Sequence, residues 1–284
     1  MTHAVTDMPD LSETTTPDLL AEALRLSRTD TESDARWHLI QELHRRASPD
    51  IFESAEDLSC QPDPAARMLA ADILAQLGPL RYRGIEQLRP FTEASMPILR
   101  RLLEDGEAGV VAAAITAIGQ HYRNALIAEV PSLATHASLN VRLSAAMNLR
   151  PGHAGLENAV AIGMLIRLSE DPDEAVRDWA TFSLGSQGDA DTPEIRQALY
   201  RRLEDGDFDT RSEAMIALAE RNDQRVVPFI AAALASELVG MLAVEAAGVI
   251  GSPDLLPALL ELRSWWDVDA KLLETAIQNC RGIA

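Results

Sequence analysis

Asp171-Pro-Asp-Glu-Ala-Val-Arg177-Asp-Trp-Ala-Thr-Phe-Ser-Leu184-Gly185 and Asp205-Gly-Asp-Phe-Asp-Thr-Arg211-Ser-Glu-Ala-Met-Ile-Ala-Leu218-Ala219 are two copies of one pattern. Each opens on a turn rich in Asp, Pro and Gly, where Asp can cap the following helix and Pro or Gly breaks the preceding one. Apolar or small residues fall one before the arginine and three, four and seven beyond it, along a single helical stripe. Val176, Ala180, Thr181 and Leu184 form that stripe in the first copy; Val141, Ala145, Ala146 and Leu149 form it in a third. The short side chains allow close approach of one helix to another.

Working outward, the same anchor position is found at Arg36, Arg67, Val111, Arg142, Arg177, Arg211, Gly240 and about Ala270, at intervals of 31, 44, 31, 35, 34, 29 and about 30 residues. That is the period of a stacked two-helix unit. A second apolar segment precedes most anchors, as at 160–168, 195–203 and 228–234. Pro97, Pro131, Pro228 and Pro257 lie 11 to 14 residues before their anchors, near expected helix starts, where a missing N–H costs little. No alternation of strand length is visible, so the expectation is an all-α chain of helix–turn–helix units.

The pattern Asp-Pro-Asp-x-x-Val-Arg-x-x-Ala-x-x-x-Leu-Gly, preceded by a Pro-x-Leu-Leu helix, resembles HEAT repeats, in particular the short bacterial subtype named after phycobilisome lyases. The resemblance runs from about Asp18 to the C-terminus. It implies an all-α fold, an α-solenoid of about eight stacked two-helix HEAT-like repeats in a right-handed superhelix, over residues 17–284. It further implies that the anchors Arg36, Arg67, Arg142, Arg177 and Arg211 form a structural ladder with acidic turn residues of neighbouring units, a position matched by Asp173 and Asp207. Val111 and Gly240 depart from the pattern, and the ladder is expected to break there. The family serves mostly as scaffolding.

Residues 1–16 have neither a basic start nor an apolar core and read as a disordered polar tail rather than a secretory signal. No apolar stretch is long enough to cross a bilayer, and Cys60 and Cys280 are solitary, so the expected location is cytoplasmic, with no membrane contact. The net charge of −19, from 44 acidic and 25 basic groups, disfavours nucleic acid as a partner. Acids gather in the turns, where they either cap helices or steer a basic partner. The 44-residue interval contains an insertion at about 79–92 that is either a spacer or a ligand-contacting loop; Arg81, Arg83 and Arg89 are its candidates for anion contact.

In the family this chain resembles, the anchor helix lines the concave side. Helical projection then turns residues two and five beyond the anchor outward. Met147, Trp179, Phe182 and Ile216 fall on three successive anchor helices, with Leu69 and Leu242 toward the ends and Trp37, Met68 and Met241 flanking. Two readings stand side by side. Curvature tucks these groups into an ordinary core, or they form an apolar groove for a partner helix or extended segment, with Trp179 and Phe182 as first anchors. Asp72, Asp178, Glu213 and Glu245 would supply its polar rim.

Catalytic readings find little support. The six histidines lack metal-ligand spacing, no His-Glu dipeptide occurs, and neither a phosphate-binding glycine loop nor a Gly-x-Ser-x-Gly elbow is present. No catalytic residue, metal or cofactor is assigned. The function this favours is a non-catalytic scaffold or adaptor that binds a basic or amphipathic protein or peptide in the concave groove. Two alternatives are an acidic inhibitor or immunity-type protein capping a basic partner, and a bilin lyase-like protein handling a chromophore.

Overall fold

The structure, a computed structural model, describes residues 10–83, 86–122, 124–153 and 158–282. Residues 1–9 of the expected tail lie outside the described residues. Asp10 to Thr15 lead into the first helix, and the Leu11 carbonyl accepts a hydrogen bond from Arg46 at 2.8 Å. The chain divides into two compact units, Met1–Val130 and Pro131–Ala284.

In the first unit, three helical pairs follow one another: α1 (Thr16–Thr29) with α2 (Asp34–Arg46), α3 (Pro49–Leu58) with α4 (Pro64–Ala75), and α5 (Thr92–Leu102) with α6 (Ala108–Gln120), before the single turn α7 (Ala125–Ala128). The starts are set locally. Thr15, Ser33 and Asp63 accept from backbone amides of the first turns of α1, α2 and α4, and prolines occupy the first or second positions of α1, α3 and α4. Helix α4 packs along α6. Leu69, Ile73 and Leu74 of α4 and Val111, Ile115 and Ile118 of α6 are buried, each worth roughly 2 kcal/mol of transfer from water.

Two expectations are corrected in this unit. The insertion holds an antiparallel hairpin, β1 (Arg81–Arg83) against β2 (Glu86–Leu88), with Arg81 opposite Leu88. Strands of three residues are too short for alternation to register in a sequence. Pro97, expected near a helix start, lies inside α5, because Thr92 to Met96 continue the helix backward from it. The helix loses one amide donor there.

The second unit begins with a 3-10 turn, Pro131–Thr135, followed by α8 (Leu139–Asn148). Then come the pairs α9 (Ala159–Leu168) and α10 (Glu174–Ser186), α11 (Pro193–Arg202) and α12 (Phe208–Glu220), α13 (Val227–Leu234) and α14 (Met241–Ile250), and α15 (Leu256–Leu262) and α16 (Ala270–Cys280). Asp173, Thr192, Asp207 and Asp269 cap α10, α11, α12 and α16. Pro228 and Pro257 stand at the second positions of α13 and α15. The anchor helices α8, α10, α12, α14 and α16 pack each on the next. Between α10 and α12 this contact needs glycine: a Cβ on Gly185 would lie 2.5 Å from the Ala217 Cβ. Both units are stacks of helical pairs, the construction of an α-solenoid.

Candidate partner-binding face

Arg67, Arg142 and Arg177 hold their guanidinium groups alike. In each, Nη1 donates to two carbonyls of the turn before its own helix. Nε and Nη2 grip one carboxylate of the next repeat: Asp105 at 2.7 and 2.9 Å, Asp171 at 2.6 and 3.1 Å, Asp205 at 2.9 and 2.9 Å. These forks are the strong, directional kind of ion pair. The gripped carboxylates stand two residues before the helix cap, where Asp171 and Asp205 also accept the amide of the capping residue at 3.0 Å.

Asp173 and Asp207 therefore do not form the ladder. Their side chains turn to the first-turn amides of α10 and α12, leaving the rung to the residue two places earlier. Asp72 also departs from its expected place on the rim. It lies within α4 and pairs with Arg36, whose side chain is almost wholly buried. Val111 is buried in α6 and supplies no rung.

A second set of cross-links was not anticipated. His121, ten residues beyond the α6 anchor, donates through Nε2 to the Leu74 carbonyl at 2.8 Å, so its Nδ1 accepts from the Thr92 hydroxyl. Arg221, ten beyond the α12 anchor, donates to the Leu184, Gly185 and Ala190 carbonyls at 3.0 Å each. Asn279 near the end of α16 reaches the Gly248 carbonyl at 2.9 Å. Each satisfies carbonyls in the last turns of the preceding anchor helix, and Arg221 also one just beyond it. The signal was a polar residue nine or ten positions beyond the anchor, easily taken for surface.

The apolar candidates separate. Trp179 of α10 is 36% exposed and Met147 of α8 is 37% exposed, while Phe182 is half-buried with its ring edge-on to Trp179 at 5.7 Å. Met241 is exposed and Leu242 half-buried on α14. Ile216 is 6% exposed and Leu69 is fully buried, so these two are core rather than groove. Both lie on helices packed between neighbours on either side, which close over the position that projection alone turns outward. In the first unit, Trp37 is exposed beneath the Arg36 guanidinium, 5.0 Å from its ring centre, and Met68 is half-buried.

Beside Trp179 the charge is strongly acidic. Burial pushes Glu213 up to about 7, and the like charges of Asp178, Asp209, Glu220 and Glu245 push the same way. Burial likewise pushes Asp178 up to about 6, with Asp207 and Asp209 adding to it. The Asp178 Oδ1 is buried without a hydrogen-bond partner. Asp178 of α10 and Glu245 of α14, both of the expected rim, thus act on Glu213 of α12, and among the described residues none of the three is seen in an ion pair.

In the insertion, Arg89 turns inward and donates to the Gly78 carbonyl at 2.6 Å, and burial lowers its pKa. Arg81 is exposed, and the Arg83 side chain lies outside the described residues. Cys60 is exposed, with the Arg101 guanidinium 3.3 Å from its sulfur and the thiol pKa lowered by Arg101 and Ser59. Among the described residues, no group of three or more His, Cys, Asp or Glu side chains could hold a metal ion, and no helix is long and apolar enough to cross a membrane.

Capped helical pairs joined by arginine–aspartate rungs define a helical-repeat protein, and in its second unit the family model described as HEAT repeats matches residues 161–238 and 196–278. The chain is similar to Protein YibA of Escherichia coli (strain K12), with 30% identity over 185 residues, 63% of this chain and 64% of that protein. The match thus spans less than two thirds of the length of this curated relative. The X-ray structure of YibA superposes with a TM-score of 0.73 at 27% identity, covering 92% of each chain. The crystal structure of an engineered protein has a TM-score of 0.54 at 16% identity over 96% of this chain and 86% of that one, a likeness of fold alone.

Proposed function

We propose that this protein is a non-catalytic scaffold whose α8–α10–α12–α14 face binds a basic, amphipathic segment of another protein. The observation that carries the reading is the exposed Trp179, with Phe182 edge-on beneath it, next to the Asp178–Glu213–Glu245 group. Aromatic and methionine side chains supply contact area, and the half-buried carboxylates Asp178 and Glu213, with no ion pair of their own among the described residues, favour a cation that would supply one. The face is carried on helices packed each on the next, which keeps the ordering cost on this side of the interface small.

Trp179 is one of four tryptophans, and its own signal is the part of the fluorescence lost in Trp179→Phe. Titration with an amphipathic Leu/Lys helical peptide should shift its fluorescence saturably, more weakly as salt rises. The matching Leu/Glu peptide should leave it unchanged. Trp179→Ala with Phe182→Ala, followed by calorimetry, should abolish binding while lowering Tm by only a few degrees. Equal binding of both peptides, or a double variant that unfolds, would show these rings to be core and sink the proposal. Binding that disappears entirely at moderate salt would favour the second reading, suggested by the charge of −19: an acidic inhibitor capping a basic protein.

A further inference from the structure

The row of rungs has one unfinished member. Arg211 keeps the pose of Arg67, Arg142 and Arg177, its Nη1 donating to the Asp205 and Gly206 carbonyls at 2.6 and 2.9 Å. The edge formed by Nε and Nη2, which in those three arginines grips a carboxylate, meets none among the described residues. The reason lies in the next turn. The completed rungs use the residue two before the cap of the following anchor helix, and before α14, capped by Gly240, that residue is Leu238. Its side chain is 83% exposed.

Arg211 also lines a cavity of about 580 Å³ whose other walls are largely apolar, among them Leu203, Phe208, Met215, Phe229 and Leu238. The Phe208 ring lies 5.8 Å from the Arg211 guanidinium and covers one of its faces. Gly240 leaves that ring its place, since a Cβ there would lie 2.9 Å from the Phe208 Cζ and push the ring aside. A preset fork, an apolar hollow and an aromatic cover together specify a ligand.

We propose that the unfinished rung binds a carboxylate carried on an apolar body: the carboxylate takes the Nε/Nη2 edge of Arg211 and the body fills the cavity beneath Phe208. This site uses a different set of residues from the Trp179 face and takes a ligand of opposite charge. Glu237 also lines the cavity and opposes an anion. The same chemistry is presented by a free alkyl carboxylate or by an acidic residue flanked by leucines in a peptide.

Isothermal titration separates these sources. The probes are octanoate, octanol and a blocked Leu-Asp-Leu peptide. Octanoate, the peptide or both should bind at a single site, with octanol weaker by about ten-fold or more, the worth of one charge-assisted contact. Octanoate alone indicates a free ligand, and the peptide alone indicates a partner's acidic segment. Leu238→Asp should complete the rung within the chain, raise Tm and remove binding of both probes; Arg211→Gln should remove it without the gain in Tm. Glu237→Gln should tighten binding. No binding by octanoate or peptide, octanol binding as tightly as octanoate, or full binding by a folded Leu238→Asp protein would each overturn the proposal.

Discussion

At the scale of single residues, the carboxylates on the anchor helices carry the sharpest consequence. Glu213 titrates at about 7 in the folded chain because burial and four neighbouring acids oppose its charge. Its pKa in the unfolded chain is the ordinary 4.5. The folded state therefore holds more protons between those values, and stability falls as pH rises through that window. With solvent screening of a half-buried group, Glu213→Gln should gain about 1 kcal/mol at pH 8 and almost nothing at pH 4. Thermal melts of both proteins across that range check it; parallel curves would remove the assignment. A basic partner acts in the same direction as the amide, so its binding should release protons and strengthen between mildly acid and mildly alkaline pH.

At the scale of the element, a helix of ten to thirteen residues is marginal alone, and the rungs and small-residue contacts are what fix it to the next one. Asp205 illustrates the weight of one rung. Burial pulls its carboxyl pKa upward, but the hydrogen bonds from Arg177 and the Asp207 amide outweigh that and leave it below its ordinary value. Its loss strands two guanidinium groups, because Arg202 also lies 3.1 Å away. Asp205→Ala should cost roughly 3 kcal/mol, the order found when one partner of a buried pair is removed. That corresponds to a fall in Tm of roughly 6–12 °C. A change below a degree or two would mean that apolar packing alone sets the joint between α10 and α12.

At the scale of the whole molecule, 44 acidic groups against 25 basic ones leave a charge of −19 that repels itself in any compact state. Added salt screens exposed charges but barely reaches rungs whose aspartates are 4–10% exposed. Moderate sodium chloride should therefore raise Tm; a lowered Tm would mean that the ion pairs outweigh the repulsion. What the sequence by itself determined were the helical pairs, most of their starts and the period of the anchors, because caps, prolines and apolar stripes act within a turn or two of chain. It also placed Trp179 and Met147 on an open face. Only the tertiary structure decided that Ile216 and Leu69 are core, that Asp171 and Asp205 rather than Asp173 and Asp207 complete the rungs, and that Leu238 leaves Arg211 without one. Those outcomes depend on how closely a neighbouring helix approaches, as at Gly185 against Ala217, and on which of two nearby carboxylates a guanidinium can reach. Such distances belong to residues about thirty positions apart in the chain.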